Sequence, residues 1–355
     1  MNVLIRADAS TAIGSGHVMR CLTLANVLHG EGATVSFACR RLPGDLLAMI
    51  AAQGWPVFAL PCALQGAAPA DIQALLPWQA DIDALAEQLP AQARFDWIIV
   101  DHYGLDHHWE RAAQRWAPRI AAIDDLANRA HAVDLLLDQN YIASAQGYGP
   151  LLTRPCQLLL GPRYALLREE FQVPARPVRA EVERVLVNFG GMDTTGQTLK
   201  ACQALADFSE LQVTVVAGMA NPRWAQLQAL AAQRPSWQIL AHSRAFGQLM
   251  AAADLFVGAG GGTSWERAAL GLPTICLAVA ANQEANAQAL AAAGMHCYLG
   301  PCATVSTQAL AAAIGTLLQR FDLRRGYADR SRQLVDGGGA RRVAEALLLV
   351  GGAGA

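Results

Sequence analysis

The chain has 355 residues, 53% of them hydrophobic and 16% charged, with a formal net charge of −2. That is enough apolar material for two packed cores, and it excludes a disordered chain. The basic residues are nearly all arginine, Lys200 being the only lysine, and they are spread without a dense run, so the charge pattern excludes a nucleic-acid footprint.

At the N-terminus "NVLIRAD" reads as a strand, too short for the apolar region of a secretion signal and interrupted by Arg6 and Asp8. A cytoplasmic protein is expected. "AIGSGHVMRC" follows, a glycine loop opening into a helix. Gly14 and Gly16 free the backbone to approach a ligand, and the helix points its positive end at the same spot. His17 would face an anion or polar substrate held there. The positive end of a helix favours a neutral imidazole, able to accept a proton.

The runs "TVSFACR", "PVFAL", "DWIIVD", "RIAAID", "DLLLDQ" and "CQLLLG" then alternate with helix-forming segments such as "HHWERAAQRWA". This is the signature of a parallel sheet wound with helices. Residues 61–80, "PCALQGAAPADIQALLPWQA", fit no such element and read as a loop. "DHYGLDHH" gathers Asp101, His102, Tyr103, Asp106, His107 and His108; its adjacent histidines are expected at a surface junction, and no metal site is expected. The eight cysteines are scattered through apolar segments, as buried reduced thiols would be, and the close pair Cys297 and Cys302 lacks the further ligands of a zinc site.

"GPRYALLREEFQVPARPVRAEVER", with prolines at 162, 174 and 177, reads as an interdomain linker. The expected organisation is a first domain over 1–160, a linker over 161–182, a second domain over 183–330, and a C-terminal amphipathic helix and tail over 331–355. The fold class expected is α/β, two doubly wound Rossmann-like domains facing across a cleft. No apolar stretch is long enough to cross a membrane, and no stable membrane association is expected.

In the second domain the strands "RVLVNFGG", "LQVTVVAG", "WQILAH", "DLFVGAG" and "TICLAV" repeat the pattern. Two of their loops carry glycines: "FGGMDTTG", with Gly190 and Gly191, and "GAGGGTSWERAALGLP", with Gly260, Gly261 and Gly262. In the latter, Thr263 and Ser264 are expected as helix N-caps, and the helix would aim free N–H groups at a diphosphate. Glu266, in its first turn, can accept hydrogen bonds from the two hydroxyls of a ribose. Asn282, Gln283, Glu284 and Asn286 cluster at the start of the next helix.

The segment from Gly260 to Gly294 resembles the nucleotide-sugar half of GT-B enzymes related to MurG. With "RADASTAIGSGHVMRCLTLA", "IIVDHYGLD", "GPRYALLREEF" and "VNFGGMD", the chain resembles more narrowly the UDP-2,4-diacetamido-2,4,6-trideoxy-β-L-altropyranose hydrolases of pseudaminic acid synthesis. The resemblance runs from Arg6 to Gly294 and implies a GT-B fold, a UDP-sugar as the substrate, no cofactor and no metal, and cleavage of a glycosidic C–O bond. It further implies that His17 is catalytic, that Tyr103 and Asn282 line the sugar site, and that Glu266 and the glycine loop hold the uridine diphosphate.

On this reading His17 deprotonates a water that attacks C1 opposite UDP, with inversion. Asp8 and Asp101 are the candidates to orient the imidazole or the water, Asp8 being the one placed on the adjacent strand end. His102 and Tyr103 are candidates to bond the N-acetyl groups. Two other readings share the nucleotide half: a glycosyltransferase using His17 on an acceptor hydroxyl, and a nucleotide-sugar-binding module without catalysis, for which a base at position 17 has no use.

Overall fold

The structure, a computed structural model, describes residues 1–62, 75–173, 176–219, 221–243 and 245–352. It divides into two compact units, Met1–Leu167 joined by the C-terminal segment from Gly338, and Arg168–Gly337. Among the described residues, no helix is long and apolar enough to cross a membrane. The segment read from sequence as a loop over 61–80 lies partly outside the described residues; its end is helical from Trp78.

The strands of the first unit are β1 (Asn2–Ala7), β2 (Thr34–Arg40), β3 (Val57–Leu60), β4 (Trp97–Asp101), β5 (Arg119–Ile123), β6 (Leu135–Asp138) and β7 (Gln157–Leu160). They form one parallel sheet in the order β3-β2-β1-β4-β5-β6-β7. Its helices are α1 (Gly16–Gly30), α2 (Leu47–Ala52), α3 (Trp78–Gln88), α4 (His107–Ala113) and α5 (Ala145–Tyr148). Helices cover both faces, which is why these strands read as unbroken apolar runs. Val3 and Ile5 of β1, with Trp97 and Ile99 of β4, pack on the α1 side. Leu4, Ile98 and Val100 pack on the α3 and α4 side with Leu85 and Trp109.

The second unit repeats the plan with β8 (Arg184–Asn188), β9 (Gln212–Val216), β10 (Trp237–Leu240), β11 (Leu255–Ala259), β12 (Thr274–Ala278) and β13 (Cys297–Pro301), all parallel in the order β10-β9-β8-β11-β12-β13. Its helices are α6 (Gln197–Leu205), α7 (Trp224–Ala232), α8 (Phe246–Ala252), α9 (Thr263–Leu270), α10 (Ala281–Ala292), α11 (Thr307–Gln319) and α12 (Phe321–Leu334). The last helix, α13 (Gly339–Gly352), returns to the first unit. Val343, Ala344 and Leu347 join the core beside α1, and Trp97 Nε1 donates to the Leu347 carbonyl at 3.1 Å. Gly339 makes that approach possible, because a Cβ there would stand 2.2 Å from the Ala165 carbonyl oxygen.

Strand order reverses direction between β1 and β4 in the first sheet, and between β8 and β11 in the second. Loops leaving the carboxyl ends of strands at such a switch point diverge to opposite faces and leave a crevice, the usual ligand position in open α/β sheets.

Candidate active site

In the first unit the loop after β1 is folded by Ser10, whose Oγ accepts from the N–H groups of Ala12 and Ile13 and whose carbonyl accepts from Gly14 N–H at 2.8 Å. Gly14 takes φ 82°, a conformation that favours glycine. Gly16 opens α1, and His17, its second residue, is buried at 7% exposure. His17 Nδ1 lies 2.5 Å from Oδ1 of Asp101, the fully buried last residue of β4.

Burial works to raise the Asp101 carboxyl, but the Arg20 guanidinium beside it, and His17 after that, hold it well below the usual carboxylate range. An ionised carboxylate only accepts, so the proton of this bond belongs to His17 Nδ1 and the lone pair of a neutral ring falls on Nε2. Arg20, one helical turn beyond His17, spans both Asp101 oxygens, Nε to Oδ2 and Nη2 to Oδ1, each at 2.7 Å. Its Nη1 reaches both oxygens of Asp125 at 3.0 and 2.7 Å. Tyr103 donates to Asp125 Oδ2 at 2.9 Å and meets the His17 ring edge-on at 4.5 Å between centroids. Burial, with the Asp125 charge adding to it, pushes the Tyr103 phenol up, so it stays a donor.

The structure corrects the expected place of Asp8. Its carboxylate accepts from Arg6 Nη1 at 2.6 Å, Arg6 Nη2 at 2.8 Å and the Arg40 N–H at 2.7 Å, with His102 Nε2 at 3.3 Å. His102 Nδ1 accepts from Gly104 N–H, which puts the histidine's proton on Nε2, facing Asp8. The cause is strand alternation. Leu4, Arg6 and Asp8 point to the α3 and α4 side, where Asp81 also takes Arg6 and Trp109, whereas Trp97, Ile99 and Asp101 point to the side of α1. The strand end that faces His17 is that of β4.

Asp106 spends Oδ1 on the His108 N–H as the N-cap of α4, and its side chain with those of His107 and His108 brings three ligand-type atoms within 4.8 Å of one another.

In the second unit the loop after β8 carries Gly190, at φ 89°, and Gly191, both exposed. The Asp193 carboxylate takes the first amides of α6, from Gln197 at 3.0 Å and Thr198 at 2.7 Å. By contrast α9 begins behind Gly262 with no side-chain cap. The expected caps Thr263 and Ser264 lie inside the first turn instead, where Arg267, fully buried, donates to Thr263 Oγ1 and Ser264 Oγ at 2.9 Å and to the Ala259 carbonyl at 3.0 Å. This staples the end of β11 to α9 and leaves the first amides of α9 without a side-chain acceptor.

Glu266, on the same turn, is 3.4 Å from Arg168 through Oε1, and its Oε2 is buried with no partner among the described residues. Burial pushes its carboxyl up, and Arg168 opposes the shift. Gln283 accepts from Val279 N–H at 3.1 Å and lies beside Gly260 and Gly261, tying the start of α10 to the glycine loop. Asn282 is exposed and Asn286 buried. Arg20, Asp125 and Arg168 were not singled out from sequence. The i, i+3 spacing of His17 and Arg20 on one helix face was the signal available for the first; the others depend on tertiary placement.

Residues 189–325 match the glycosyltransferase family 28 C-terminal domain. MurG of Acinetobacter baumannii superposes with a TM-score of 0.67 at 18% identity, covering 98% of this chain and 99% of that one. Two doubly wound parallel units of this kind make a GT-B fold, and the chain is a sugar-nucleotide-processing enzyme. It is 30% identical over 232 residues to the UDP-2,4-diacetamido-2,4,6-trideoxy-β-L-altropyranose hydrolase of Campylobacter jejuni, an alignment covering 65% of this chain and 74% of that one. The chain belongs to that family. It is also 25% identical over 201 residues to the spore coat polysaccharide biosynthesis protein SpsG of Bacillus subtilis, covering 56% of this chain and 58% of that one.

Proposed function

We propose that the protein hydrolyses UDP-2,4-diacetamido-2,4,6-trideoxy-β-L-altropyranose at the glycosidic C–O bond, without a metal, as a cytoplasmic step of pseudaminic acid synthesis. The observation that carries the reading is the bond between Asp101 and His17 Nδ1, which leaves Nε2 of a buried imidazole as a base. Nε2 takes a proton from water as the water oxygen forms its bond to C1. The bond from C1 to the diphosphate oxygen breaks with its electron pair, UDP departs, and the anomeric configuration inverts. The open amides of the Gly261, Gly262 and Thr263 loop suit the departing anion, so no strong acid is required. Glu266 suits the ribose diol, and Tyr103, Asn282, Gln283 and Asn286 are assigned to the sugar and the loop around it.

A general base contributes roughly 10²–10⁴-fold to such a step. The test is an NMR time course with the UDP-linked diacetamido sugar in ¹⁸O-water, without acceptor, beside His17→Phe. Free sugar labelled at its anomeric oxygen, with the variant slowed by about 10³-fold or more, is expected. Intact substrate refutes hydrolysis and turns attention to transfer onto an acceptor. Label in UDP refutes C–O cleavage.

A further inference from the structure

Arg168 stands at the start of the second unit, in a short 3₁₀ approach that packs on α9. It is a fixed cation: Nη1 pairs with Glu170 Oε1 at 2.6 Å, and the guanidinium lies over the Phe171 ring at 5.1 Å. From that seat Nη2 reaches one oxygen of Glu266, at 3.4 Å, and leaves the other without a donor. A buried carboxylate oxygen lacking a donor is costly and is rarely retained without a use. Arg267, the other cation near Glu266, has its Nη atoms committed to the Ala259 carbonyl, Thr263 and Ser264.

We infer that Arg168 is a positioning residue for nucleotide recognition: by anchoring Glu266 Oε1 it presents Oε2 to a ribose hydroxyl. The inference rests on the proposed reading that this site takes UDP, and it names what prepares the carboxylate. A diol offers two donors; Oε2 takes one hydroxyl, and Oε1 shares the second with Arg168. Arg168 also opposes the upward push that burial gives the carboxyl. The charged groups acting on Glu266 are Arg168, Arg267 and Glu170, and only the first two favour the anion. With Arg168 removed, Glu266 gains a proton at higher pH, loses half its accepting capacity and is no longer held in place.

The test is calorimetric titration of the full chain with UDP and with 2′-deoxy-UDP, from about pH 5 to about pH 8, for wild type, Arg168→Gln and Arg168→Lys. Wild type is expected to prefer UDP over the deoxy analogue by about tenfold near pH 8 and to weaken on acidification. Arg168→Gln is expected to lose most of that preference and to weaken from a higher pH, while Arg168→Lys, which keeps the charge, retains the wild-type pH dependence. If Arg168→Gln keeps both the preference and the pH dependence, or loses UDP and the deoxy analogue equally, the positioning role is overturned. Failure of the wild type to bind UDP would instead overturn the reading of the site itself.

Discussion

Tyr148 is fully buried, and its hydroxyl lies 2.8 Å from Asp124 Oδ2 and 2.9 Å from Asp138 Oδ2. One hydroxyl proton cannot serve two carboxylates. Burial works to raise Asp124, but His131 and Arg129, with the Ala127 N–H, hold it well below the usual range, so it is the acceptor. Asp138, at the end of β6, is pushed up to about 7 by burial and then by the Asp125 charge. Below about pH 7 it therefore keeps a proton of its own and donates to the Tyr148 oxygen, while the Tyr148 proton goes to Asp124. The sign of the consequence follows from linkage. A carboxyl near 3.8 in the unfolded chain and near 7 in the fold binds more protons when folded, so its contribution to stability falls as pH rises from about 4 to about 7. The full span is about 4 kcal/mol, and the part between about pH 5 and about pH 8 is roughly 2–3 kcal/mol. His131 is pushed up to about 9 by Asp124 and Glu110 against its burial, and stays largely charged over that window. Asp138→Asn removes the titration and keeps both bonds, Oδ1 accepting from the Asn140 N–H and Nδ2 donating to Tyr148. The variant's gain over wild type should grow by roughly 2–3 kcal/mol between about pH 5 and about pH 8, widening the difference in the melting transition of the first unit by about 4–10 °C in scanning calorimetry. A variant destabilised equally at both pH values would show that Asp138 carries no proton and refute the argument.

Asp101→Asn sets a neutral amide against His17 Nδ1 and leaves Arg20 with Asp125 as its carboxylate partner; kcat is expected to fall by roughly 10²–10⁴-fold with UDP affinity unchanged, as steady-state kinetics and titration calorimetry would show. Retention of more than about a tenth of the activity would remove Asp101 from the reaction. Gly218→Ala acts on the second unit, since its Cβ would stand 2.3 Å from the Gly191 carbonyl oxygen. The loop after β8 must move, at a cost of about 1–3 kcal/mol in thermal unfolding, with weaker UDP binding.

The thirteen strands of the described residues were legible to the extent that burial writes itself into sequence. The inner strands read as apolar runs because both neighbours and both helical layers cover them, and the edge strands β3, β7 and β10 still carried short apolar runs. β13, "CYLGP", did not: it carries Gly300 and Pro301, which break the apolar run, and its register on β12 shifts between Cys276 and Ala278. α13 was legible as a helix, but its return to the first unit was not, because the contact that decides it, Trp97 with Leu347, joins positions 250 residues apart. At the site, His17 and the glycine loops could be read locally from backbone demands. Alternation narrows the partner of His17 to a choice of faces: in "DWIIVD" the residues Trp97, Ile99 and Asp101 share one face, and in "NVLIRAD" Leu4, Arg6 and Asp8 share the other kind. Choosing between the two carboxylates needed the face on which α1 packs, a tertiary fact.

The two switch points also differ in how they carry charge, and the difference suits the chemistry proposed for each. In the first unit the carboxylates around His17 and on the neighbouring strand end are paired with guanidinium groups: Asp101 and Asp125 with Arg20, Asp8 with Arg6. Paired charges in a buried edge orient one another; the two carboxylates on Arg20 carry one negative charge more than the guanidinium neutralises, which does not favour an anionic leaving group there, and the imidazole nitrogen left over is the reactive atom. In the second unit the α9 loop offers main-chain amides with no carboxylate cap, while the amides of α6 are already taken by Asp193. Of the α6 and α9 starts, a diphosphate thus has only that of α9 open to it. A carboxylate cap introduced at α9, as Gly262→Asp, would compete for those amides as Asp193 does at α6. It should stabilise the apo second unit by roughly 0.5–1 kcal/mol while weakening UDP, read together by thermal unfolding with and without the nucleotide. Unchanged UDP binding in that variant would place the diphosphate elsewhere.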